Sequence, residues 1–255
     1  MHVKCAFCPK PADSGEHLWD AWICKLPPFQ GKSYFKEQIL PNPQVRQWQA
    51  VRMDRKKKTV CEKCNNQWMS DIVNLHAKPC IEQMILSDAP VQLTPSCILS
   101  ISIFAFLKAV IGDHLSQDRQ RFFSMTVRST FRRSLSLPPN MQDWLGCIGA
   151  VDPHHAIFRM KYAYTRPNVK PSMEIYTFTW GVGRLAIQLA SIKFKNSRLR
   201  GKRFVPILPR HQPFFDQFAI PIWPYDGNAV VWPPQHHLSN ALLHKFTNRF
   251  VPDLF

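Results

Sequence analysis

The longest apolar stretch of the chain predicts a helix in the protein core. It is CILSISIFAFLKAVIG at 97–112, and its one charged residue is Lys108. A helix that crosses a bilayer needs about 20 apolar residues, whereas this stretch is shorter and carries a charge. We therefore expect a buried core helix over about 97–115 rather than a membrane span.

The C-terminal half of the chain has a composition that predicts mainly β-strands. MEIYTFTW (173–180) and RLAIQLASIKF (184–194) are rich in β-branched and aromatic residues, and the GVG between them suits a tight hairpin turn. Towards the end of the chain the pattern changes to that of a short amphipathic helix over 238–250. We expect a β-rich region over about 145–235, followed by this helix with Ser239 as its N-cap.

The first 88 residues are rich in loops and contain two short strand-like segments. These are QVRQWQAV (44–51) and KKTVCEK (57–63), with the charged turn RMDRK between them, so we expect a β-hairpin. In the following NNQWMSDIVNLHAK the apolar side chains fall at helical spacing, which predicts a helix. Pro79 is expected to end or kink that helix.

Residues 87–96 (SDAPVQLTPS) are the best candidate for a domain boundary, because they contain two prolines and several polar side chains. Hydrophobic residues make up 45% and charged residues 20% of the 255 residues, which is typical of a folded protein. We therefore expect an α+β protein with an N-terminal domain over 1–88. A larger accessory α+β domain of unknown role would follow over 89–255.

An excess of positive charge indicates a polyanionic partner. Lys and Arg number 33 against 17 Asp and Glu, which gives a formal charge of +16 and a pI near 9.8. Aromatic residues make up 12%, and this combination favours nucleic acid over a solubilising excess of lysine or an anionic membrane surface. His2 and Lys4 lead directly to Cys5 rather than to a signal-peptide stretch, so we expect a cytoplasmic protein.

Three clusters of basic residues are candidates for contact with phosphate. They lie within 55–58, 119–133 and 193–203, and contacts of this kind do not depend on base sequence. The candidate side chains are Arg55, Lys56, Lys57, Lys58, Arg119, Arg121, Arg128, Arg132, Arg133, Lys193, Lys195, Arg198, Arg200, Lys202 and Arg203. For the cluster at 119–133, a phosphate-facing surface and a solvated face both remain open.

Two C-x2-C pairs predict a structural zinc site. Cys5 and Cys8 form the first pair and Cys61 and Cys64 the second, so that four thiolates can surround one tetrahedral Zn²⁺. The 52 residues between the pairs exceed the spacing of a compact zinc ribbon, so this segment must fold back on itself. A closed site of four cysteines has no open coordination position and cannot activate water. The remaining cysteines lack such spacing, and we expect them to be buried thiols: Cys24, Cys80, Cys97 and Cys147.

Polar residues beside the cysteine pairs carry a resemblance to a nuclease family. Glu16 and His17 follow the first pair, and Asn65 directly follows Cys64. With CAFC, EH, CEKC and N in this order, the first 80 residues or so resemble the HNH endonucleases, the zinc-containing branch of the His-Me finger nucleases. The resemblance implies an N-terminal ββα treble-clef domain. It also implies a metal-dependent hydrolase that cleaves phosphodiester bonds of nucleic acid, with DNA as the expected substrate, in defence or in a mobile element.

The resemblance implies a role for each of these positions. His17 would be the general base that takes a proton from the attacking water. Glu16 and Asn65 would hold one catalytic divalent cation, Mg²⁺ or Mn²⁺, against the scissile phosphate, leaving a 5′-phosphate and a 3′-hydroxyl. Two positions depart from the family pattern. No Asn lies within VRMDRKKKTV before the second pair, and Trp68 stands where the family often has a Lys, so we expect it to pack in the core.

Each of these residues also has a structural interpretation. His17 could be a hydrogen-bonded histidine on a strand, Asn65 a helix N-cap and Glu16 a surface acid. Two other functions therefore stay open. One is a zinc-stabilised protein that binds nucleic acid without cleaving it, and the other is a structural subunit whose basic face docks an acidic partner. A protein partner or a second copy of the chain could bind through the C-terminal domain.

Overall fold

The computed structural model describes residues 3–38, 45–51, 53, 55–115, 121–149, 156–164, 173–194 and 216–250. Within these ranges both helices and strands are present, which confirms the predicted α+β class. The strands are β1 (Ser14–His17), β2 (Ser33–Gln38), β3 (Val45–Ala50), β4 (Lys56–Val60), β5 (Val91–Leu93), β6 (Met141–Cys147), β7 (Ala156–Tyr164), β8 (Met173–Val182), β9 (Leu185–Phe194), β10 (Ala219–Trp223) and β11 (Val230–Trp232). The helices are α1 (Glu62–Cys64), two π-helical segments (Asn65–Met69 and Ile72–Ala77), α2 (Lys78–Leu86), α3 (Pro95–Leu115), α4 (Met125–Ser134) and α5 (Asn240–Asn248), with short 3-10 helices at Ile23–Lys25 and Pro27–Phe29.

A five-stranded antiparallel sheet is the largest sheet among the described residues. Its strand order is β10-β6-β9-β8-β7, and β8 and β9 form the hairpin that the sequence predicts. The turn between them has Gly183 at a φ of +57°, and a Cβ there would lie 2.3 Å from the carbonyl oxygen of Ile85. This position therefore needs glycine both for its backbone angle and for the close approach of the turn to α2.

The N-terminal strands pair differently from the predicted hairpin. β3 pairs with β2, where Phe35 lies opposite Trp48, and β4 pairs with β1, where His17 lies opposite Lys56. The predicted β3–β4 hairpin is therefore wrong. Although β3 and β4 are neighbours in sequence, the aromatic residues of β3 stack on the preceding strand, and β4 pairs with the strand that follows the first cysteine pair.

Helical structure continues through the predicted proline break. From α1 the chain is helical through the two π-helical segments into α2, with one non-helical backbone position at Gln67 (φ −114°, ψ −115°). Pro79 lies in the first turn of α2, directly after a π-helical segment, and this is a position that proline tolerates. The predicted helix is confirmed, and it extends beyond Pro79 rather than ending there.

The apolar helix α3 is a core helix. Of the helices in the described residues, α3 is the one that is long and apolar enough to cross a membrane. However, 72% of its most apolar 18-residue stretch is buried inside the protein. It contacts the helical segment Ile72–Ala77, strand β4 and strands β7 to β10. The hydroxyl of Tyr176 donates to the carbonyl of Ala109 (2.9 Å), and Phe104 packs edge-on against Trp180 at 5.2 Å between ring centroids. The predicted core helix is confirmed.

Residues on both sides of the predicted boundary share one hydrophobic cluster. It contains Phe7 from the N-terminal segment and Trp180 from the C-terminal sheet. The indole N–H of Trp180 also donates to the carbonyl of Leu18 (3.0 Å), and that of Trp19 donates to the carbonyl of Gly181 (3.1 Å). The division at 87–96 stays a prediction, but the two segments pack against each other. As a result, α3 can contribute a side chain to a site on β1.

Candidate metal centre and active-site cleft

The four cysteines of the two C-x2-C pairs meet in one buried cluster. The Sγ atoms of Cys5, Cys8, Cys61 and Cys64 all lie within 4.8 Å of one another. Cys8 Sγ is 3.5 Å from Cys61 Sγ and 3.9 Å from Cys64 Sγ. Thiolates about 2.3 Å from a tetrahedral zinc ion lie about 3.8 Å from each other, so the cluster has the dimensions of a zinc site. The predicted convergence of the two pairs is confirmed.

The protonation chemistry of this cluster also suits a metal ion. All four cysteines are buried. Hydrogen bonding with Cys64 lowers the pKa of Cys5 to about 5, while the same contact raises the pKa of Cys64 above its usual range. At least one of these buried sulfur atoms is readily deprotonated, and a bound Zn²⁺ would stabilise all four as thiolates. The residues therefore fit a structural zinc ion.

Packing and backbone hydrogen bonds hold the first cysteine pair in place. The N–H of Ala6 donates to the carbonyl of Thr59 at the end of β4 (2.8 Å). Phe7, between the two cysteines, packs edge-on against Trp68 at 5.0 Å between ring centroids. Trp68 also packs against Phe131, so the position at which the family often has a Lys carries a partly buried core side chain, as predicted.

Two of the remaining cysteines form a disulfide. Cys80 in α2 and Cys97 in α3 are bonded, with their Cα atoms 5.5 Å apart. The expectation that they are separate thiols is therefore wrong, because α2 and α3 pack together and bring positions 17 residues apart into contact. Cys147 is buried, and burial raises the pKa of its thiol to about 12. Cys24 is only half-buried.

A cleft of about 450 Å³ opens next to the second cysteine pair. Glu16 and His17 border it from β1, and Asn65 borders it from the helical segment after Cys64. The fold thus brings the three predicted site residues to one cavity, although 48 positions separate His17 from Asn65. Lys56, which lies opposite His17 on β4, borders the same cleft.

Asn65 is attached to β1 by its side chain. Its Nδ2 donates to the hydroxyl of Ser14 (2.9 Å) and to the carbonyl of Gly15 (3.3 Å). Asn65 has helical backbone angles (φ −64°, ψ −50°), and Cys61 is the residue at the N-cap of α1, so the N-cap interpretation of Asn65 does not hold. No described residue donates to its Oδ1, so this oxygen stays available to a ligand in the cleft.

Glu16 is part of a buried ion-pair network rather than a surface acid. The ammonium group of Lys108 in α3 lies 2.8 Å from Glu16 Oε1 and 2.6 Å from Asp20 Oδ1. It also donates to the carbonyl of His17 (2.9 Å). Lys108 is fully buried, and Glu16 and Asp20 are 4% and 5% exposed. One oxygen of Glu16 is therefore committed to Lys108, whereas no described residue donates to its Oε2.

The charges in this network depend on one another. Burial by itself lowers the pKa of Lys108, but attraction to Asp20 and Glu16 outweighs burial and raises the pKa above its ordinary value. Burial raises the pKa of Asp20 to about 6, although Lys108 opposes that rise. Lys108 therefore keeps its charge at neutral pH, and mild acid protonates Asp20.

Lys108 and Asp20 are absent from the sequence-based prediction of the site. A buried lysine needs an anionic partner, so the lone Lys108 in an apolar helix was a signal that such a partner exists. Its partners are 92 and 88 residues away, however, and no local pattern names them.

The predicted phosphate contacts on β4 lie at the edge of the cleft. Lys56 and Lys58 are exposed, whereas Arg55 and Lys57 are half-buried. Arg55, Lys56 and Lys57 line a second, neighbouring cleft together, whereas Lys58 does not border it. Among them, Lys56 is the residue that borders the cleft beside His17.

The basic residues of the middle cluster have mixed surroundings. Arg128 is buried, and its guanidinium donates to the carbonyls of Phe123 (3.0 Å) and Ala6. It therefore ties α4 to the first cysteine pair and does not face phosphate, contrary to the prediction. The other described members of this cluster reach the surface to different degrees, since Arg121 and Arg132 are half-buried and Arg133 is exposed. In the third cluster Lys193 is half-buried. Six predicted contacts lie outside the described residues: Arg119, Lys195, Arg198, Arg200, Lys202 and Arg203.

Comparison with known proteins assigns no family. Neither a protein-family model, nor a curated protein, nor a solved structure matches the chain. The resemblance to HNH endonucleases therefore rests on the residues of the cysteine pairs and the cleft.

Proposed function

We propose that this protein is a metal-dependent endonuclease of the HNH type, which hydrolyses phosphodiester bonds of nucleic acid, with DNA as the expected substrate. In this proposal the two cysteine pairs, β1, β4 and the following helix form a zinc-stabilised treble-clef unit. The observation that carries the proposal is that Glu16, His17 and Asn65 border one cleft beside the cysteine cluster. Each residue has an ordinary structural explanation, but the proposed chemistry requires all three at one cavity.

The cysteine cluster supports the site without taking part in the reaction. Four thiolates close the coordination sphere of zinc, so the metal stabilises the segment and offers no position for water. Cys61 and Cys64 lie between β4 and Asn65, so the zinc ion would hold the strand and the helix in a fixed relation.

His17 acts as the general base in the proposed reaction. Its imidazole, in the neutral form, accepts a proton from a water molecule as that water attacks the phosphorus atom. Negative charge then increases on the phosphate oxygens and on the leaving 3′ oxygen. Lys56, on the adjacent strand and beside the same cleft, is placed to stabilise this charge. The products are a 5′-phosphate and a 3′-hydroxyl.

Two oxygen atoms at the cleft suit a hard divalent cation. Oε2 of Glu16 and Oδ1 of Asn65 accept no hydrogen bond from the described residues. Mg²⁺ or Mn²⁺ held by these side chains would offset the charge that develops on the phosphate and the leaving oxygen. Lys108 binds the other carboxylate oxygen of Glu16, and Ser14 accepts a hydrogen bond from the amide nitrogen of Asn65. These contacts set the orientation of both side chains before substrate arrives.

A zinc-stabilised protein that binds nucleic acid without cleaving it is the second candidate. The observation that favours it is the ion pair between Glu16 and Lys108, which commits one of the two carboxylate oxygens. The lack of an Asn within VRMDRKKKTV favours it as well. In this case the basic residues of β4 bind phosphate and no bond is broken.

A plasmid-nicking assay tests the two candidates. Zinc-loaded protein is incubated with supercoiled plasmid and Mg²⁺ or Mn²⁺, and relaxed and linear DNA are quantified on gels. We expect nicking by the wild type and a loss of about 100-fold or more for His17→Ala and for Asn65→Ala. His237→Ala is the matched control, because His237 is exposed and does not border the cleft.

The outcome that overturns the nuclease proposal is equal activity of the wild type and His17→Ala. Inactivity of the wild type on single- and double-stranded DNA and RNA with every metal overturns it as well. Retained, salt-sensitive binding in that protein supports the second candidate, whereas loss of binding overturns both.

A further inference from the structure

We infer that Phe35, Trp48 and Arg55 form a stacking site for an unpaired nucleobase, directly beside the proposed phosphate-binding cleft. The inference rests on the proposed function, because it assigns a substrate preference to the same site. It predicts that the protein prefers single-stranded or locally unpaired nucleic acid over an intact duplex.

The stacking site is the outer end of a ladder of rings. Trp19 packs on Phe35 with 6.5 Å between ring centroids, and Phe35 stacks on Trp48 at 5.2 Å with 9° between the ring planes. The guanidinium carbon of Arg55 lies 4.4 Å from the centre of the Trp48 ring. Trp19 is buried, whereas Phe35, Trp48 and Arg55 are half-buried. The buried end therefore fixes the ladder, and its outermost member is the guanidinium of Arg55 over Trp48, the plane on which a base would stack.

A second cleft of about 370 Å³ lies against this outer end. It is lined by Phe35, Trp48, Ala50, Arg55, Lys56 and Lys57. Lys56 borders both this cleft and the cleft that contains Glu16, His17 and Asn65. Since Lys56 lies opposite His17 in the β1–β4 pair, and the N–H of Leu18 donates to the carbonyl of Arg55 (2.9 Å), the two clefts are neighbours along β1.

The chemistry of the second cleft suits a nucleobase next to its own phosphate. Aromatic rings and guanidinium planes are the surfaces on which proteins stack unpaired bases, and every base offers a π face. Lys56, which borders both clefts, and Lys57 in the second cleft complement the charge of the adjoining phosphate. A base inside a duplex is already stacked on both faces, so it cannot use this surface without leaving the helix.

The experiment measures binding without cleavage. Zinc-loaded His17→Ala protein with all 255 residues is titrated, with no added Mg²⁺ or Mn²⁺, into fluorescent oligothymidylate of about 12 nucleotides. A second probe is an oligomer of equal length and charge in which every base is replaced by an abasic unit. Fluorescence anisotropy should give about 10-fold tighter binding of oligothymidylate than of the abasic oligomer.

Trp48→Leu in this background should remove most of the difference between the two probes while leaving the affinity for the abasic oligomer unchanged. Trp48→Phe should keep the difference, because it keeps a ring. Lys58→Ala is the matched control, since Lys58 is an exposed lysine of the same strand that does not line the second cleft. It should weaken the binding of both probes equally. Arg55→Gln, which leaves the two rings in place, is the second variant if Trp48→Leu does not fold.

Equal affinity of the starting protein for the two probes overturns the inference. So does an equal loss for both probes in folded Trp48→Leu, as checked by circular dichroism. These results are separate from the nicking assay, because no bond cleavage is measured. If the protein nicks plasmid but binds both probes equally, the proposed function stands and the stacking site is contradicted. A protein that prefers bases and never cleaves loses the proposed function alone.

Discussion

The cysteine cluster and the Lys108 network support β1 from two directions by different physical means. The cluster joins the segment before β1 to the segment after β4, and its four sulfur atoms would take a cation from outside the protein. The network reaches Glu16 and the carbonyl of His17 from α3, and it contains its own cation. If the cluster holds the proposed zinc ion, one strand rests on a metal at one end and on a buried internal charge at the other. The two supports should therefore fail under different conditions.

Removing the zinc ligands should have the largest effect. We expect Cys61→Ser with Cys64→Ser to abolish zinc binding and to cost up to roughly 10 kcal/mol of folding free energy, because a bound metal would join the two cysteine pairs inside the shared core. Elemental analysis and denaturant unfolding measure this. Cys24→Ser is the control, since Cys24 lies outside the cluster. Full zinc content in the double variant would show that these cysteines do not hold the metal.

Removing the buried cation should have the next largest effect. Lys108→Met leaves two buried carboxylates without a counter-charge, and we expect a loss of about 3–5 kcal/mol in the free energy of unfolding at pH 7. Urea unfolding measures it. Adding Glu16→Gln and Asp20→Asn to Lys108→Met should restore much of this loss, because it removes the unpaired charges. Unchanged stability of Lys108→Met would show that the network does not support β1.

The network, unlike the cluster, should gain stability from mild acid. Burial raises the pKa of Asp20 from its ordinary value of 3.8 to about 6, so between these values the folded protein binds a proton that the unfolded chain does not. The contribution of Asp20 to stability therefore increases as pH falls through this window, by up to about 3 kcal/mol. The wild type should therefore become more stable relative to Asp20→Asn as the pH is lowered from about 7 to 4, as measured by the free energy of unfolding of each protein.

The matched control for this pH series is Asp71→Asn, which changes an exposed carboxylate outside the network. Its difference from the wild type should stay nearly constant over the same range. A pH-independent difference for Asp20→Asn would contradict the assignment of a raised pKa to Asp20.

The smallest expected effect concerns Lys56, which lies beside the supported strand and belongs to neither cluster nor network. Lys56→Ala should weaken nucleic-acid binding to a similar extent for all sequences. It should also reduce the slope of log K against log salt by about 1, the value for one lost phosphate contact. Anisotropy titrations at several salt concentrations measure this slope. Lys245→Ala on α5 is the control, and an equal change in that variant would indicate general charge rather than a contact at the cleft.

Features encoded by neighbouring residues were predictable. The apolar run of α3 and the hairpin of β8 and β9 follow from local pattern, and Ser239 caps α5 by accepting from the N–H of Leu242, as expected. The two cysteine pairs were predictable for a chemical reason, because thiolates at this spacing share one metal. The pairing of β3 with β2, the Cys80–Cys97 disulfide and the burial of Arg128 were not, because each depends on which distant surface a segment meets.

The candidate site divides in the same way. Residue types and order alone identified Glu16, His17 and Asn65 as candidates, since their meaning comes from the cysteines next to them in the chain. Only the packing of α3 against β1 decided that Glu16 is buried against Lys108 and that Asp20 joins them. The long apolar run of α3 indicates that its lysine is buried, but the partner of a buried charge is set by long-range packing, which no local pattern records.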